Sequence, residues 1–226
     1  MPIVERYRTV ADLPASLPVF PLRGCILLPR AVLPLHVFEP RYLAMLDAAI
    51  SSTRLIGIIQ PDPEAGERES PSGRANRLRS VGCAGRITSF QELDDGRLVI
   101  ALTGVCRFET RGENTTATPY RTFDVDFVRF AGDLAPSDST GIDRAALLSA
   151  LADYLAAQKL EADWKTIEQA EPESLVNALA IMSPFAPEEK QALLEAAGIK
   201  ERAEALIALA RMELAGSGRK APVRLQ

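Results

Sequence analysis

The fold is decided by the stretch LPVFPLRGCILLPRAVLPLHVFEPRY, residues 17–42. It contains two apolar runs, residues 17–22 and 32–38, and each run includes proline. Because proline lacks the N–H that a central strand donates, both runs are typical of edge or irregular strands. Pro40 then stands where the first turn of a helix needs no donor. The apolar residues after it recur at helical spacing, so the stretch predicts two irregular strands and an amphipathic helix over residues 40–50.

Strand patterns continue to about residue 130. Residues 55–59 form a short apolar run that is typical of a buried strand. The turn sequence at residues 94–97 separates two strand-like runs and predicts a β-hairpin. Residues 122–127 alternate between polar and apolar side chains, which indicates a half-buried strand. Five or six short strands with irregular connections predict a small β-barrel or a pair of packed sheets.

The second half of the chain has the pattern of helices. Apolar stripes at helical spacing recur from residue 141 to residue 215. One of these helices begins at Pro187, where proline and the acidic residues that follow it are favoured. The small and polar residues 131–140 separate the two halves and are typical of a linker.

The pattern as a whole predicts an α+β protein with two domains. The predicted parts are a β-rich domain over residues 1–132 that includes one helix, a helical domain over residues 141–215 and a flexible tail over residues 216–226. Residues 61–77 are polar and rich in proline, glycine and charge, so we expect an exposed, mobile loop there.

Composition and charge narrow the class of protein. The chain has 226 residues, of which 47% are hydrophobic and 25% are charged, as in ordinary globular proteins. A net charge of −4 argues against a nucleic-acid binder, whose affinity depends on basic side chains. The three cysteines include no C-x-x-C pair, so no zinc site is predicted. Without a signal-peptide pattern or a long apolar span, we expect a cytoplasmic protein with no membrane partner, no metal and no cofactor.

The sequence has no recognisable catalytic motif. It contains neither a P-loop nor the G-x-S-x-G elbow of a serine hydrolase. His36 is the one histidine, so a Ser-His-Asp or Cys-His mechanism would have to use it. Its place in an alternating apolar run favours a structural role. The sequence therefore predicts no enzyme, with an ATP-independent hydrolase that uses His36 as an alternative.

The same N-terminal stretch resembles the opening of the Lon N-terminal domain, the substrate-recognition part of the ATP-dependent Lon proteases. The segments that carry this resemblance are residues 17–22 (LPVFPL), 27–29 (LLP), 33–42 (LPLHVFEPRY), 55–59 (LIGII), 81–87 (VGCAGRI), 104–108 (GVCRF) and 183–185 (SPF). The resemblance extends from about residue 17 to residue 214. The full proteases continue into an ATPase domain and a Ser-Lys protease domain, so this chain is similar to the stand-alone Lon-domain proteins of bacteria.

This resemblance implies a PUA-like β-domain followed by a helical bundle, which acts as a non-catalytic polypeptide-recognition module. Such a module would be an adaptor or a regulator of proteolysis. The expected partners are unfolded or exposed polypeptide segments, with a protease, a chaperone or a second copy of the chain as further candidates. A PUA-like binder of small ligands or RNA is the alternative that the same fold allows.

The binding residues are expected in the proline-restricted N-terminal stretch, because a rigid apolar surface loses little entropy on binding. They are Phe20, Pro21, Pro34, His36, Phe38, Glu39, Arg41 and Tyr42. Two other roles compete with binding. Phe20, Leu35 and Phe38 would instead fill the core. Glu39 would cap the helix at Pro40, and Arg41 would pair with a carboxylate.

Overall fold

The computed structural model describes residues 6–62, 77–94, 96–158 and 164–217. Most of the predicted loop over residues 61–77 and of the predicted tail over 216–226 therefore lies outside the described residues. The chain forms two compact units. The first unit extends to Pro136 and includes Phe185–Leu194, while the second comprises Ser137–Pro184 and the chain from Glu195 onward.

A mixed six-stranded sheet forms the first unit. Its strands are β1 (Ser16–Pro21), β2 (Val32–Val37), β3 (Leu55–Pro61), β4 (Leu78–Glu92), β5 (Leu98–Asn114) and β6 (Arg121–Asp126). They lie in the order β2-β5-β4-β3-β1-β6, and β6 also pairs with β5. Only β1 and β3 pair in parallel. The predicted hairpin is confirmed, since β4 and β5 pair antiparallel on either side of the turn that includes Gly96.

The long strand β5 holds the sheet together because it has three partners. It pairs with β2 along residues 98–103, with β4 along residues 98–109 and with β6 along residues 109–114. The β4–β5 register shifts after Ala84 and again after Ile87, as expected where bulges bend long strands. At Gly104 the chain before β2 crosses so close that an added Cβ would lie 1.9 Å from the carbonyl oxygen of Leu28. Only glycine admits this crossing.

The predicted helix over residues 40–50 is confirmed as α1 (Pro40–Ile50), with proline in its first turn. It packs against β1 and β3 and buries Tyr42, Met45, Leu46 and Ala49. This packing of α1 explains why β3 is buried from Leu55 to Gln60 and is apolar up to Ile59. The pattern is typical of a strand with both faces covered. A short 3-10 turn at Val10–Asp12 and a helical segment at Val128–Leu134 complete the elements before residue 136.

The second half is helical as predicted. Its helices are α2 (Arg144–Gln158), α3 (Trp164–Gln169), α4 (Pro172–Met182), α5 (Pro187–Glu195) and α6 (Ile199–Ser217). In the second unit, α2 and α4 both pack against α6. Helix α6 continues through Ser217, so residues 216 and 217, which the sequence assigned to the tail, are helical. A single glycine weakens a helix by about 1 kcal/mol but leaves its backbone N–H in place, so Gly216 does not end α6.

Helix α5 belongs with the sheet rather than with the other helices, unlike in the predicted division at residues 132 and 141. The side-chain amide of Gln60 donates to the carbonyl of Pro187 at 2.9 Å and to Oε1 of Gln191 at 3.0 Å. Gln191 in turn donates to the carbonyl of Val81 at 3.1 Å. These buried polar contacts hold α5 against β3 and β4, and no apolar periodicity reveals them in advance.

Candidate functional site

The predicted binding residues separate into a buried group and an exposed group. Phe20 and Tyr42 are 6% and 9% exposed, and their rings stack with centroids 4.1 Å apart. Burial raises the pKa of the Tyr42 hydroxyl. Pro21, at the end of β1, is half-buried. The pair Phe20–Tyr42 therefore joins β1 to α1, and this core position leaves little of either ring for a ligand.

The exposed group follows β2. Pro34, His36 and Phe38 are exposed, and Phe38 retains 64% of its accessible area. Val32, at 59%, belongs to the same face but was missed from the sequence. The period of two that connects it to Pro34 and His36 is the signal that would have found it. We call Val32, Pro34, His36 and Phe38 the β2 surface.

The neighbouring strand extends this surface without adding charge. Val32, Pro34 and His36 lie opposite Thr103, Ala101 and Val99 of β5, which are half-buried. Phe90 on β4 is another large exposed side chain that sequence patterns did not single out, with 56% of its area accessible. Its register partner is Ile100, which also pairs with Leu35. Uncharged side chains thus flank the β2 surface on β5, and Phe90 adds a further exposed ring on β4.

One ion pair flanks the β2 surface. The guanidinium of Arg41 donates to Oε2 of Glu39 from Nη2 at 2.6 Å and from Nε at 2.9 Å. This hydrogen bonding raises the pKa of Arg41. The Arg41 guanidinium also lies 4.9 Å from the centre of the Tyr42 ring. Glu39 occupies the N-cap position of α1, but its side chain makes no capping bond. It therefore neutralises Arg41 instead of capping the helix.

The alternatives derived from sequence find little support in the described residues. The imidazole of His36 has no hydrogen bond or ion pair with another described side chain, so no Ser-His-Asp arrangement is assembled there. Three arginines on β5, β6 and the segment after β6 pair with carboxylates, and two of them, Arg111 and Arg129, are exposed. These pairs are Arg111 with Asp126, Arg121 with Glu113 and Arg129 with Glu109. Paired in this way, they do not form the unbalanced basic groove that RNA binding requires.

No helix among the described residues has both the length and the apolar character needed to cross a membrane. The described residues also contain no group of three histidine, cysteine, aspartate or glutamate side chains able to hold a metal ion. The candidate site is thus a surface formed by β2 and the residue that follows it, made of the apolar side chains of Val32, Pro34 and Phe38 together with the imidazole of His36.

Comparison with known proteins gives a consistent result. A family model described as the substrate-binding domain of the ATP-dependent protease La (LON) matches residues 16–211. The Lon protease of Flavobacterium johnsoniae is 29% identical over 201 residues, which cover 85% of this chain and 23% of that protein. The Lon protease of Desulfosudis oleivorans is 25% identical and is covered to 25% of its length. The chain therefore spans about a quarter of the length of these relatives.

Solved structures share the fold. The crystal structure of a Lon N-terminal domain protein from Xanthomonas campestris has a TM-score of 0.60 at 22% identity, over 86% of this chain and 98% of that one. The N-terminal domain of a Mycobacterium avium complex Lon protease has a TM-score of 0.61 at 19% identity, over 87% and 98% of the two chains. The family match over most of its length shows that this chain belongs to the family of Lon protease substrate-binding domains.

Proposed function

We propose that this chain is a non-catalytic module that binds exposed apolar segments of polypeptides, and that the β2 surface is its binding surface. The observation that carries the proposal is the row of accessible apolar side chains along one strand, with Phe38 and Val32 more than half exposed. Contiguous apolar patches on a folded surface commonly mark interaction sites. Membership of a family described as substrate-binding supports the same role.

The chemistry of the surface favours an unfolded or extended ligand over a folded, charged one. No charged residue lies between Arg30 and Glu39, and the side chains of both make hydrogen bonds within the chain. Arg30 donates to the carbonyl oxygen of Asp133 at 2.6 Å, and Arg41 pairs with Glu39. Affinity therefore has to come from apolar contact and from backbone hydrogen bonds, both of which an extended chain provides.

The wider role that we infer is that of an adaptor or a regulator of proteolysis, which presents a bound segment to a protease or chaperone. The sheet that carries the site is, in this proposal, a PUA-like barrel, and the second unit is a helical bundle. The pairing of β5 with both β4 and β6 supports the barrel, and the packing of α2 and α4 on α6 supports the bundle. Three free cysteines agree with a reducing cytoplasm.

Binding of a permanently unfolded protein tests the proposal. Reduced and carboxymethylated α-lactalbumin, labelled with a fluorophore, is titrated with the chain, and anisotropy reports the complex. We expect Phe38→Ser and Val32→Ser each to weaken binding about tenfold, the size of a hot-spot contact. Val128→Ser is the matched control, because Val128 is 69% exposed but lies outside the β2 surface. Failure of the wild-type chain to bind any unfolded protein would contradict the proposed function.

A further inference from the structure

β2 has an open side. It pairs with β5 on one side, and no backbone hydrogen bond connects its other side to the rest of the described chain. The strand therefore presents unpaired N–H and C=O groups to solvent. An edge of this kind is a template for another extended chain.

The direction of these groups follows from the hydrogen bonds just before β2. The amide of Gly104 donates to the carbonyl of Ala31 at 2.9 Å, and the amide of Arg30 donates to the carbonyl of Gly104 at 2.9 Å. In an antiparallel ladder, residues bonded to the partner alternate with residues whose backbone groups point away. Counting from Ala31, the residues that bond to β5 are Leu33, Leu35 and Val37. The residues that direct their backbone groups to the open side are Val32, Pro34 and His36.

The position of Pro34 agrees with this alternation. Proline has no N–H, so at an outward-directed position it costs no hydrogen bond to β5. The open side then offers the carbonyls of Val32, Pro34 and His36 and the amides of Val32 and His36. Natural edges resist pairing through charges, proline or a bulge, and of these features β2 has only Pro34. β2 has no charged residue, and its register with β5 is continuous from Val32 to Val37.

We propose that β2 binds polypeptide by strand addition, in which an extended, uncharged segment pairs with the open side and continues the sheet. This inference rests on the proposed function and specifies how the ligand is held. Main-chain bonds supply affinity without regard to sequence, while alternate ligand side chains lie beside the β2 surface and select apolar residues. One module can thus bind many unfolded segments.

A second copy of the chain is a less suitable occupant than a free segment. If two β2 strands paired with each other around Pro34, each strand would lack the hydrogen bond that an N–H at this position would donate. When a segment from another polypeptide pairs with β2, only the one hydrogen bond at Pro34 is missing. Self-pairing is thereby weakened relative to ligand binding, which is the effect that proline has on natural sheet edges.

Another stretch of the described sheet with an open side, at the end of β4, is a poorer template. Beyond Arg86, β4 pairs only with β5, which leaves residues 88–92 without a second neighbour. A register shift between Ile87 and Ser89 interrupts this stretch, and Glu92 places a charge at its end. Both features discourage strand pairing, so β2 is the edge to which we assign the ligand.

Amide hydrogen exchange measured by NMR tests the alternation directly. The probe is an acetylated and amidated peptide of alternating threonine and valine, as long as β2. On saturation we expect exchange at Val32 and His36 to slow by more than about tenfold. We expect exchange at Leu33, Leu35 and Val37 to be slow without peptide, because these residues bond to β5. Binding that leaves Val32 and His36 unprotected would overturn strand addition but not polypeptide recognition. Protection that depends only on protein concentration would instead assign the edge to a second copy.

N-methylation of the peptide provides the complementary test. Each methyl group removes one peptide N–H, and a single hydrogen bond changes affinity about two- to tenfold. We expect methylation to weaken binding at every second position only. A uniform effect or no effect would overturn the proposal. If neither the peptide nor unfolded α-lactalbumin binds, it is the proposed function itself that fails.

A backbone variant of the protein completes the design. His36→Pro removes the outward-directed N–H, while His36→Ala changes the side chain and keeps that N–H. We expect His36→Pro to weaken peptide binding about two- to tenfold more than His36→Ala does, because only the proline variant also lacks the N–H. Thermal unfolding of both variants confirms that they fold. Equal losses in the two folded variants would show that the imidazole, not the backbone, is recognised.

Discussion

The guanidinium of Arg107 and the carboxylate of Asp133 form a bidentate ion pair inside the first unit, with Nε–Oδ2 and Nη2–Oδ1 distances of 2.8 Å. Asp133 also accepts from the backbone amide of Arg107 at 3.0 Å. Nη1 of Arg107 donates to the carbonyl of Leu194 at 3.0 Å. The pair thus connects β5, the segment Val128–Leu134 and the end of α5.

Removing one member of this pair leaves a buried charge without its partner. We expect Arg107→Met to lower the free energy of unfolding by about 3–5 kcal/mol, measured by urea denaturation. Arg129→Met is the control, since Arg129 pairs with Glu109 at the surface and is 52% exposed. Exposed pairs contribute little to stability. Equal destabilisation by the two substitutions would show that the buried pair has no special role.

Gly104→Ala is expected to destabilise the fold through a steric clash. Its Cβ would lie 1.9 Å from the Leu28 carbonyl oxygen, so the chain before β2 would have to move. Overpacking of this kind costs about 1–3 kcal/mol. Gly112→Ala, in the same strand, meets no atom within 4 Å and should have a much smaller effect. Thermal unfolding of both variants measures the difference in stability. Similar melting temperatures would contradict the close approach of the chain at Gly104.

Phe20 and Phe38 are expected to give opposite results. Phe20→Ala removes a buried ring from its stack on Tyr42, and such losses cost about 3–5 kcal/mol of stability. Phe38→Ala should leave the unfolding curve almost unchanged, because the ring is mostly exposed, while it weakens binding of unfolded α-lactalbumin. Urea denaturation and anisotropy on both variants separate the two effects. A binding defect in a stably folded Phe20 variant would show that Phe20 does take part in binding.

Cys106 is expected to be inert in the folded protein. Burial and the nearby carboxylate of Asp133 raise the pKa of its thiol from 9.0 to about 12, and the thiol lies 3.3 Å from the carbonyl oxygen of Phe130. Since the folded state holds this proton more tightly, the resulting stabilisation is complete below pH 9.0 and is lost as the pH rises toward about 12.

Alkylation followed by mass spectrometry, at a pH close to 9.0, tests whether the Cys106 thiol is unreactive in the folded protein. Iodoacetamide should modify Cys25 first, because Cys25 is the one partly exposed thiol of the three. Burial raises the pKa of Cys25 as well, so its reaction should still be slower than in urea. In urea all three thiols should react. Modification of Cys106 as fast as Cys25 without denaturant would contradict its burial.

Local patterns were sufficient for the elements themselves. Pro40 and the helical spacing after it predicted α1 with the bounds that the structure has, since the signals for a helix start lie within a few residues. The turn around Gly96 likewise predicted the β4–β5 hairpin. These features depend on backbone restrictions and periodicity, which neighbouring residues determine.

Assigning a role to each apolar residue was beyond those patterns. Phe20 and Phe38 lie in similar proline-rich runs, yet one is stacked in the core and the other is exposed. The difference depends on whether α1 covers the residue, which is a long-range contact. In the same way, the sequence predicted helix α5 but not its attachment to the sheet through Gln60 and Gln191.

The sequence by itself determined most of the helices and strands, the hairpin and the resemblance to the Lon N-terminal domain, because these are properties of residues close together in the chain. Only the tertiary structure decided which side of β2 is open. That outcome depends on the bond between Gly104 and Ala31, two residues far apart in sequence, and on β6 pairing with β1 and β5 rather than with β2. Strand order is decided by pairing between distant segments, and no local pattern encodes it.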